Sequence, residues 1–297
     1  MSAHAIEADG VRYSYGRTRA VDGISFSVAT GEVVGFLGPN GAGKSTTVKI
    51  LTGMLAPDEG SVRMLGYQNG SNRVELHRRI GVCFEEKNLY TEMTGRENLE
   101  FFSRLFGLRR YDTTAALRRV GLSERGDDRV KRYSKGMRQR LMVARALVNT
   151  PEVIFLDEPT DGLDPVSART IRAIIKEEAA RGAAVFLTTH DMNEADQLSD
   201  RVAFINEGRI VAMDAPENLK IEHGRRSVRV RMRRNDDGGT SGGGTSGGVD
   251  EQVYDLGTRE AGELLKAVAD DPRLMTIHTE EASLEDIFVK LTGRGLV

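Results

Sequence analysis

The chain has 297 residues, of which 39% are hydrophobic and 29% are charged, and its formal net charge is −2 at pH 7. This length fits one large domain with a smaller one, and a net charge near zero disfavours a protein whose main partner is nucleic acid. No stretch approaches the roughly 18 apolar residues of a membrane-spanning helix, and residues 1–10 lack the pattern of a signal peptide.

The predicted elements alternate between strands and helices over most of the chain. Strands are predicted at residues 11–15, 24–28, 33–37, 61–65, 80–84, 153–156, 184–188, 201–206 and 209–213, and helices at residues 46–52, 72–79, 96–107, 111–121, 135–148 and 165–181. Continuous apolar strands joined by helices indicate a mainly parallel sheet that is covered on both faces. The single cysteine, Cys83, is expected to be a buried apolar residue of its strand, which fits a reducing cytoplasm.

The composition changes after residue 222. Strands are predicted at residues 227–232, 252–256 and 274–279, helices at residues 259–270 and 283–291, and a flexible loop in the Gly/Ser/Thr tract of residues 236–248. We therefore predict an α/β protein in two parts. Residues 1–222 form a domain with a mainly parallel sheet, an antiparallel edge sheet and a helical subdomain inserted at about residues 88–148, and residues 223–297 form a small α+β domain.

A glycine-rich loop lies between the apolar strand at residues 33–37 and the helix after it, which is the arrangement of a P-loop NTPase core. The glycines let the backbone curl so that its N–H groups point at a phosphate, and the helix adds the positive end of its dipole. Lys44 is predicted to reach the β- and γ-phosphates, and the Ser45 hydroxyl to ligate Mg²⁺. The predicted nucleotide-binding residues are Gly38, Pro39, Asn40, Gly41, Ala42, Gly43, Lys44, Ser45 and Thr46.

Two acidic residues follow the apolar strand at residues 153–156. Because ligands bind at the carboxyl ends of parallel strands, Asp157 is predicted to hold Mg²⁺, and Glu158 to act as general base toward the attacking water. The alternative is a pair of exposed turn acids. His190 ends another of these strands and is predicted to lie at the same edge, although a histidine there can also be a hydrogen-bonded cap.

A further helix begins after Ser134, which is followed by Lys135 and Gly136. Serine is a favoured N-cap, and the N-terminus of a helix binds anions. A short turn, residues 161–164, follows the acidic pair and ends in Asp164.

These motifs resemble those of the nucleotide-binding subunit of ATP-binding cassette (ABC) transporters, over residues 11 to about 219. Residues 38–45 match the Walker A motif, residues 153–158 the Walker B motif, residues 134–137 the family signature, residues 161–164 the D-loop, and His190 the switch histidine. Tyr15 falls where the family places an aromatic residue under the adenine, although it can equally be a strand residue with no role in binding.

The resemblance implies an ATPase that binds ATP and Mg²⁺. Two such domains pack head to tail, so that ATP on the phosphate loop of one is closed over by Ser134 and Gly136 of the other. Lys135 and Asp164 then belong to the nucleotide-contacting residues. Because every motif is intact, the simplest assembly is a homodimer with two working sites.

Two departures from the family pattern stand out. Glu85 occupies a position where the family usually has glutamine, which senses Mg²⁺ and the membrane partner. A glutamate can still accept from a Mg²⁺-bound water, and Glu86 is an alternative for the same role. The signature reads Ser-Lys-Gly-Met in place of the commoner Ser-Gly-Gly-Gln, a variant that resembles ATPases serving exporters of drugs, antibiotics or polysaccharides.

Residues 283–288 likewise resemble the C-terminal ending of ABC-2-type exporter ATPases, although an amphipathic helix that docks onto its own domain explains them as well. The resemblance therefore implies an ATPase at the cytoplasmic face of a membrane that drives export through a permease on a separate chain. The permease is expected to dock between Glu85 and Phe106.

Two other classes are alternatives. ABC proteins of translation carry two cassettes, and those of DNA repair carry a long inserted coiled coil, whereas this chain shows one cassette and no such insertion between Lys44 and Asp157. In a regulatory nucleotide-binding module, the arginines of residues 225–234 would contact nucleic acid or anionic lipid. A solvated strand face explains those arginines as well.

Overall fold

The computed structural model describes residues 4–68, 72–84, 88–224, 227–233, 249–255, 266, 271–280 and 282–293. Its contacts divide the chain into two compact units, with the boundary between Pro216 and Glu217. The predicted loop at residues 236–248 lies outside the described residues, as does the predicted helix at residues 259–270 except for Lys266.

The strands of the first unit follow the predicted order: two have the predicted bounds, seven differ in length, and the short strand at residues 67–68 was not predicted. They are β1 (His4–Tyr15), β2 (Thr18–Ala29), β3 (Val33–Leu37), β4 (Glu59–Met64), β5 (Tyr67–Gln68), β6 (Ile80–Cys83), β7 (Val153–Asp157), β8 (Ala184–Thr189), β9 (Arg201–Asn206) and β10 (Arg209–Asp214). β1 and β2 form a longer hairpin than predicted, with Tyr15 opposite Thr18. Register shifts along this hairpin interrupt the alternation of apolar and polar residues, which is why the sequence pattern captured only part of each strand.

The central sheet has the strand order β10–β9–β3–β8–β7–β6, and all neighbours are parallel except β10 and β9. β1, β2, β4 and β5 form a separate antiparallel sheet. The predicted mainly parallel sheet with an antiparallel edge sheet is therefore confirmed. Leu37 lies opposite Thr189, and Asp157 opposite Thr188, so that β3, β7 and β8 end at one edge.

Each face of the central sheet is covered by its own apolar cluster. Phe36, Phe155 and Phe186 point to one face, and the Phe186 ring lies 5.2 Å from Phe36 and 5.9 Å from Phe155. The intervening Leu156 and Leu187 belong to the cluster on the other face. Burial on both faces explains the continuous apolar strands. Cys83 is fully buried, as predicted.

The helices of the first unit differ in how they begin: five start at a side chain that accepts from the first turn, whereas those at residues 44–51 and 73–79 have no side-chain cap. They are α1 (Lys44–Leu51), α2 (Arg73–Arg79), α3 (Gly95–Leu105), α4 (Thr113–Arg119), α5 (Lys135–Ala146), α6 (Pro165–Ala180) and α7 (Met192–Leu198). α3 starts with a capping box between Thr94 and Glu97, and α6 starts at Asp164 with proline in its first turn. α7 was not predicted, because it is short and its apolar residues fill fewer than two turns.

Helices α3, α4 and α5 pack on one another between β6 and β7 in the chain. Arg119 of α4 joins this group to α6 of the core. Its guanidinium lies 2.6 Å from Glu178 and 3.0 Å from Glu177. The helical group is therefore tied to the core through ion pairs as well as apolar contacts.

α8 (Pro216–His223) begins at the unit boundary, and the second unit contains β11 (Ser227–Arg233), β12 (Val249–Asp255), β13 (Leu274–Glu280) and α9 (Leu284–Thr292). Its strands form an antiparallel sheet in the order β12–β11–β13. Val228 and Val230 are buried, whereas Arg229 and Arg231 point to the opposite face and pair with Glu251. One acidic partner on the neighbouring strand, shared by both, supports the interpretation of these arginines as a solvated strand face.

Among the described residues, no helix combines the length and apolar character needed to cross a membrane.

Candidate functional site

The phosphate loop of residues 38–43 joins β3 to α1, as the sequence predicts. Gly43 has φ of 106°, and a Cβ there would lie 2.4 Å from the carbonyl oxygen of Ala20. A Cβ on Gly38 would lie 2.2 Å from the carbonyl oxygen of Ile205. Only glycine fits both positions without a shift of the backbone. α1 begins at Lys44, two residues earlier than predicted.

This loop borders a cleft of ≈ 350 Å³. Tyr15, at the end of β1, lies on its wall, and its role in stacking on the adenine stays a prediction. Three neighbours from β2 that had no predicted role line the cleft as well. The lining residues are Tyr15, Thr18, Arg19, Ala20, Pro39, Asn40, Gly41, Gly43, Lys44, Ser45, Thr46 and Glu158.

A buried ion pair lies at the base of the cleft. Lys44 is only 6% exposed, and its Nζ donates to the carbonyl oxygens of Gly38 at 2.6 Å and Pro39 at 3.3 Å. The same Nζ lies 3.2 Å from Oε1 of Glu158, although the two groups lack hydrogen-bond geometry. Because both side chains are largely withdrawn from water, loss of either one leaves the other charge buried and uncompensated.

Asp157 ends β7 beside this pair. Its Oδ1 accepts hydrogen bonds from the Ser45 hydroxyl at 3.2 Å and from the Thr188 hydroxyl. A carboxylate beside a hydroxyl provides hard oxygen ligands of the type that Mg²⁺ prefers, so the residues fit this ion. Thr188 had no predicted role. The sequence marks it only as a polar residue at the end of an apolar strand.

Glu158 has φ of 48°, which is unusual for a residue with a Cβ and is characteristic of functional sites. The Glu158 N–H donates to the carbonyl oxygen of Thr188 at 3.1 Å, and this bond holds the turn. Glu158 Oε2 accepts from the His190 N–H at 3.3 Å and lies 2.9 Å from His190 Nδ1. Asp191 caps α7 immediately afterwards, which fixes His190 between a strand and a helix. The structure therefore brings Lys44, Asp157, Glu158 and His190 together.

The signature residues lie outside this cleft. Ser134 caps α5 by accepting from the Met137 N–H at 3.2 Å, and Lys135 Nζ donates to Asp161 Oδ2 at 3.2 Å. A Cβ on Gly136 would lie 3.1 Å from Asp164 Oδ2 and 2.7 Å from the Ser167 hydroxyl. Signature and D-loop are therefore neighbours within one chain.

Asp164 is held at the start of α6 by several donors. Its Oδ1 accepts from the backbone N–H groups of Val166 at 3.1 Å and Ser167 at 2.9 Å. Hydrogen bonds from the side chain and backbone of Ser167 lower the pKa of Asp164, because they stabilise its charged form. Glu85 and its alternative Glu86 lie outside the described residues.

Glu158 lines the cleft, and Asp157 and His190, at the ends of neighbouring strands, contact residues of its lining. Together with a glycine loop at a helix N-terminus, this arrangement defines a P-loop nucleotide-binding protein. A family model described as ABC transporter matches residues 21–161. The fluoroquinolones export ATP-binding protein of Mycobacterium tuberculosis is 46% identical over 96% of this chain and 91% of its own length. The daunorubicin/doxorubicin resistance ATP-binding protein of Streptomyces peucetius is 37% identical over 97% of this chain and 92% of its own.

A solved ATP-binding cassette in a dimeric post-hydrolysis state, bound to ADP and phosphate, is 26% identical with a TM-score of 0.63. The match covers 71% of this chain and 98% of that one. The chain belongs to the ABC transporter family and is one of its ATPases.

Proposed function

We propose that this chain is the ATPase subunit of an exporter, and that it couples ATP binding and hydrolysis in a head-to-tail homodimer to transport through a permease on a separate chain. One observation carries the dimeric site. Lys44 and Glu158 line one cleft, and Asp157 accepts from Ser45 of its lining, whereas Ser134 and Gly136 are absent from that lining. The capped N-terminus of α5 is then available to the nucleotide of a second copy. The dimeric state of the related cassette supports this arrangement.

Export is supported by the relatives, which are an export protein for fluoroquinolones and a resistance protein for daunorubicin and doxorubicin. The substrate class that we propose is therefore a drug, antibiotic, lipid or polysaccharide. Binding to the permease would hold the chain at the cytoplasmic face of the membrane.

The residues in and beside the cleft would have separate roles in binding and hydrolysing ATP. The phosphate loop and Lys44 would hold the triphosphate, and Tyr15 would stack on the adenine. Ser45 and Asp157 would hold Mg²⁺, which offsets negative charge on the phosphates. When the ammonium of Lys44 binds the γ-phosphate instead of Glu158, Oε1 of Glu158 is free to accept a proton from water. His190 holds the other oxygen and so orients the carboxylate.

A second cleft, of ≈ 310 Å³, supports a docking surface for the permease. Arg145 lies on its wall with the guanidinium carbon 4.9 Å from the centre of the Phe102 ring, and it donates to the Asn88 carbonyl at 2.9 Å. Leu105, next to this cleft in sequence, is 65% exposed. The lining is mainly apolar and comprises Thr52, Met54, His77, Ile80, Gly81, Val82, Phe84, Asn88, Phe102, Phe106, Arg145 and Ala146. We propose that a cytoplasmic segment of the permease covers this apolar surface.

Site-directed crosslinking tests this docking surface. Cys83 is the only cysteine, and burial raises its pKa to about 12, so its thiol is unreactive. A chain with Leu105→Cys therefore carries one reactive thiol. In membranes of the cells that make this chain, we expect a thiol crosslinker to join it to an integral membrane protein.

The matched control is Val253→Cys, at a residue of the second unit that is 56% exposed. This variant should give no such product. If Leu105→Cys captures no membrane protein, or if both variants capture the same one, the proposed docking surface is wrong.

A further inference from the structure

A buried carboxylate of α7 has no part in the proposed chemistry. Glu194 is 1% exposed, and its Oε1 accepts a hydrogen bond from the Thr160 hydroxyl. The Thr189 side chain is a second hydrogen-bond partner of the same carboxylate. Burial raises the pKa of Glu194, whereas these two hydrogen bonds act in the opposite direction. Because a buried charge costs more to desolvate than an apolar side chain of similar size, stability alone does not explain a glutamate at this position.

The two partners of Glu194 lie next to the two side chains that contact each other in the site. Thr160 follows Glu158 by two residues, in the turn after β7. Thr189 ends β8, and His190 comes directly after it. Glu158 Oε2 lies 2.9 Å from His190 Nδ1. One carboxylate therefore ties the turn that carries Glu158 to the strand end that carries His190.

The turn at Glu158 depends on such a tie. A residue with a Cβ keeps a φ of 48° only where surrounding contacts hold it. The backbone N–H of Glu158 is held by the Thr188 carbonyl oxygen, and the hydroxyl of Thr160 then anchors the turn to α7. Without that anchor the carboxylate of Glu158 is free to shift, and a shift of about 1 Å in a catalytic group can lower a rate roughly 100-fold.

We infer that Glu194 is a positioning residue for ATP hydrolysis, which holds Glu158 and His190 in contact through the hydroxyls of Thr160 and Thr189. This inference rests on the proposed function, in which Glu158 is the general base. Neither hydroxyl belongs to the phosphate loop, so the effect falls on turnover and not on the binding of ATP.

The first test separates turnover from binding. We expect Glu194→Ala to lower kcat for ATP roughly 10–100-fold, while the affinity for ATP, measured by calorimetry, stays within about twofold of the wild type. Thr160→Val removes only the hydroxyl donor and should lower kcat in the same way. Thr160→Ser keeps the donor and should retain most of the turnover. The two Thr160 variants also answer the question if Glu194→Ala does not fold.

The matched control is Thr170→Val. The Thr170 hydroxyl donates to the Val166 carbonyl oxygen of its own helix, α6, at 3.0 Å. Its loss removes the same group as Thr160→Val does and should leave kcat unchanged.

The sharper test adds Glu194→Ala to a chain that already carries Glu158→Gln. If Glu194 acts by holding Glu158, the added substitution should change the residual turnover by less than about twofold, because no general base is left to position. A purely structural role would lower turnover by the same factor in both backgrounds, and that result overturns the inference. Wild-type kcat in Thr160→Val, or a loss of ATP affinity as large as the loss of turnover, overturns it as well.

The proposed function fails by a different result. Turnover within about tenfold of the wild type in Glu158→Gln alone would overturn the general-base role, and the inference with it. A large loss in Glu158→Gln, together with wild-type kcat in Thr160→Val, overturns only the role of Glu194.

Discussion

We expect Glu158→Gln to lower the turnover of ATP by roughly 10²–10⁴-fold while ATP binding is retained. Glutamine keeps the shape of the side chain and an oxygen that can accept from the His190 N–H, but its amide cannot take a proton from water. The substitution also removes the negative charge that lies 3.2 Å from Lys44 Nζ, so the ammonium stays available to the phosphates. Steady-state phosphate release and the affinity for ATP, measured by calorimetry, report the two effects separately.

The control for this prediction is Glu152→Gln. Glu152 is a surface acid paired with Arg79 at 2.6 Å, and its loss should change turnover by less than about twofold, because exposed pairs contribute little. A Glu158→Gln chain whose turnover stays within about tenfold of the wild type would contradict the general-base role, which requires at least about a hundredfold.

Lys44→Ala should weaken ATP binding by about 100-fold and abolish measurable turnover. Hydrogen bonds to charged groups are worth about 1.5–3 kcal/mol each, and the upper value corresponds to a factor of about 100 in affinity. The substitution also leaves Glu158 buried beside an empty space, which is expected to cost about 3–5 kcal/mol of stability. Calorimetric titration with ATP and the thermal midpoint of unfolding measure the two effects.

Two further variants separate charge from shape. Lys44→Met keeps most of the apolar stem and should bind ATP as weakly as Lys44→Ala. Lys131→Ala removes a surface lysine paired with Glu92 at 2.8 Å and should bind ATP as the wild type does. Wild-type affinity in Lys44→Met would mean that the ammonium does not contact the phosphates.

The central sheet and the residues around the phosphate loop were predictable because their signals are local. A buried strand, a glycine loop and a helix follow one another within about twenty residues, and Asp157 and His190 come directly after apolar strands. Because the strands are parallel, their carboxyl ends meet at one edge of the sheet, whatever the length of chain between them.

The remaining site residues depend on tertiary contacts that leave no local pattern. Thr18 and Arg19 reach the cleft because the β1–β2 hairpin packs beside the phosphate loop. Thr188 is one of many threonines that end a strand, and only the pairing of β7 with β8 shows that its hydroxyl holds Asp157. The contact of Lys135 with Asp161 likewise joins residues 26 positions apart.

The most direct test of the account is complementation between two inactive variants, Lys44→Ala and Ser134→Asp. Aspartate and serine are equally good helix caps, so α5 stays folded in the second variant. The new negative charge would repel the triphosphate. In a mixed dimer, one site combines both defects and the other combines an intact phosphate loop with an intact signature. We predict that the mixture recovers up to about a quarter of the wild-type ATPase activity, since half of randomly paired dimers are mixed and each has one intact site. A mixture no more active than the sum of its parts would contradict a site shared between two copies of this chain.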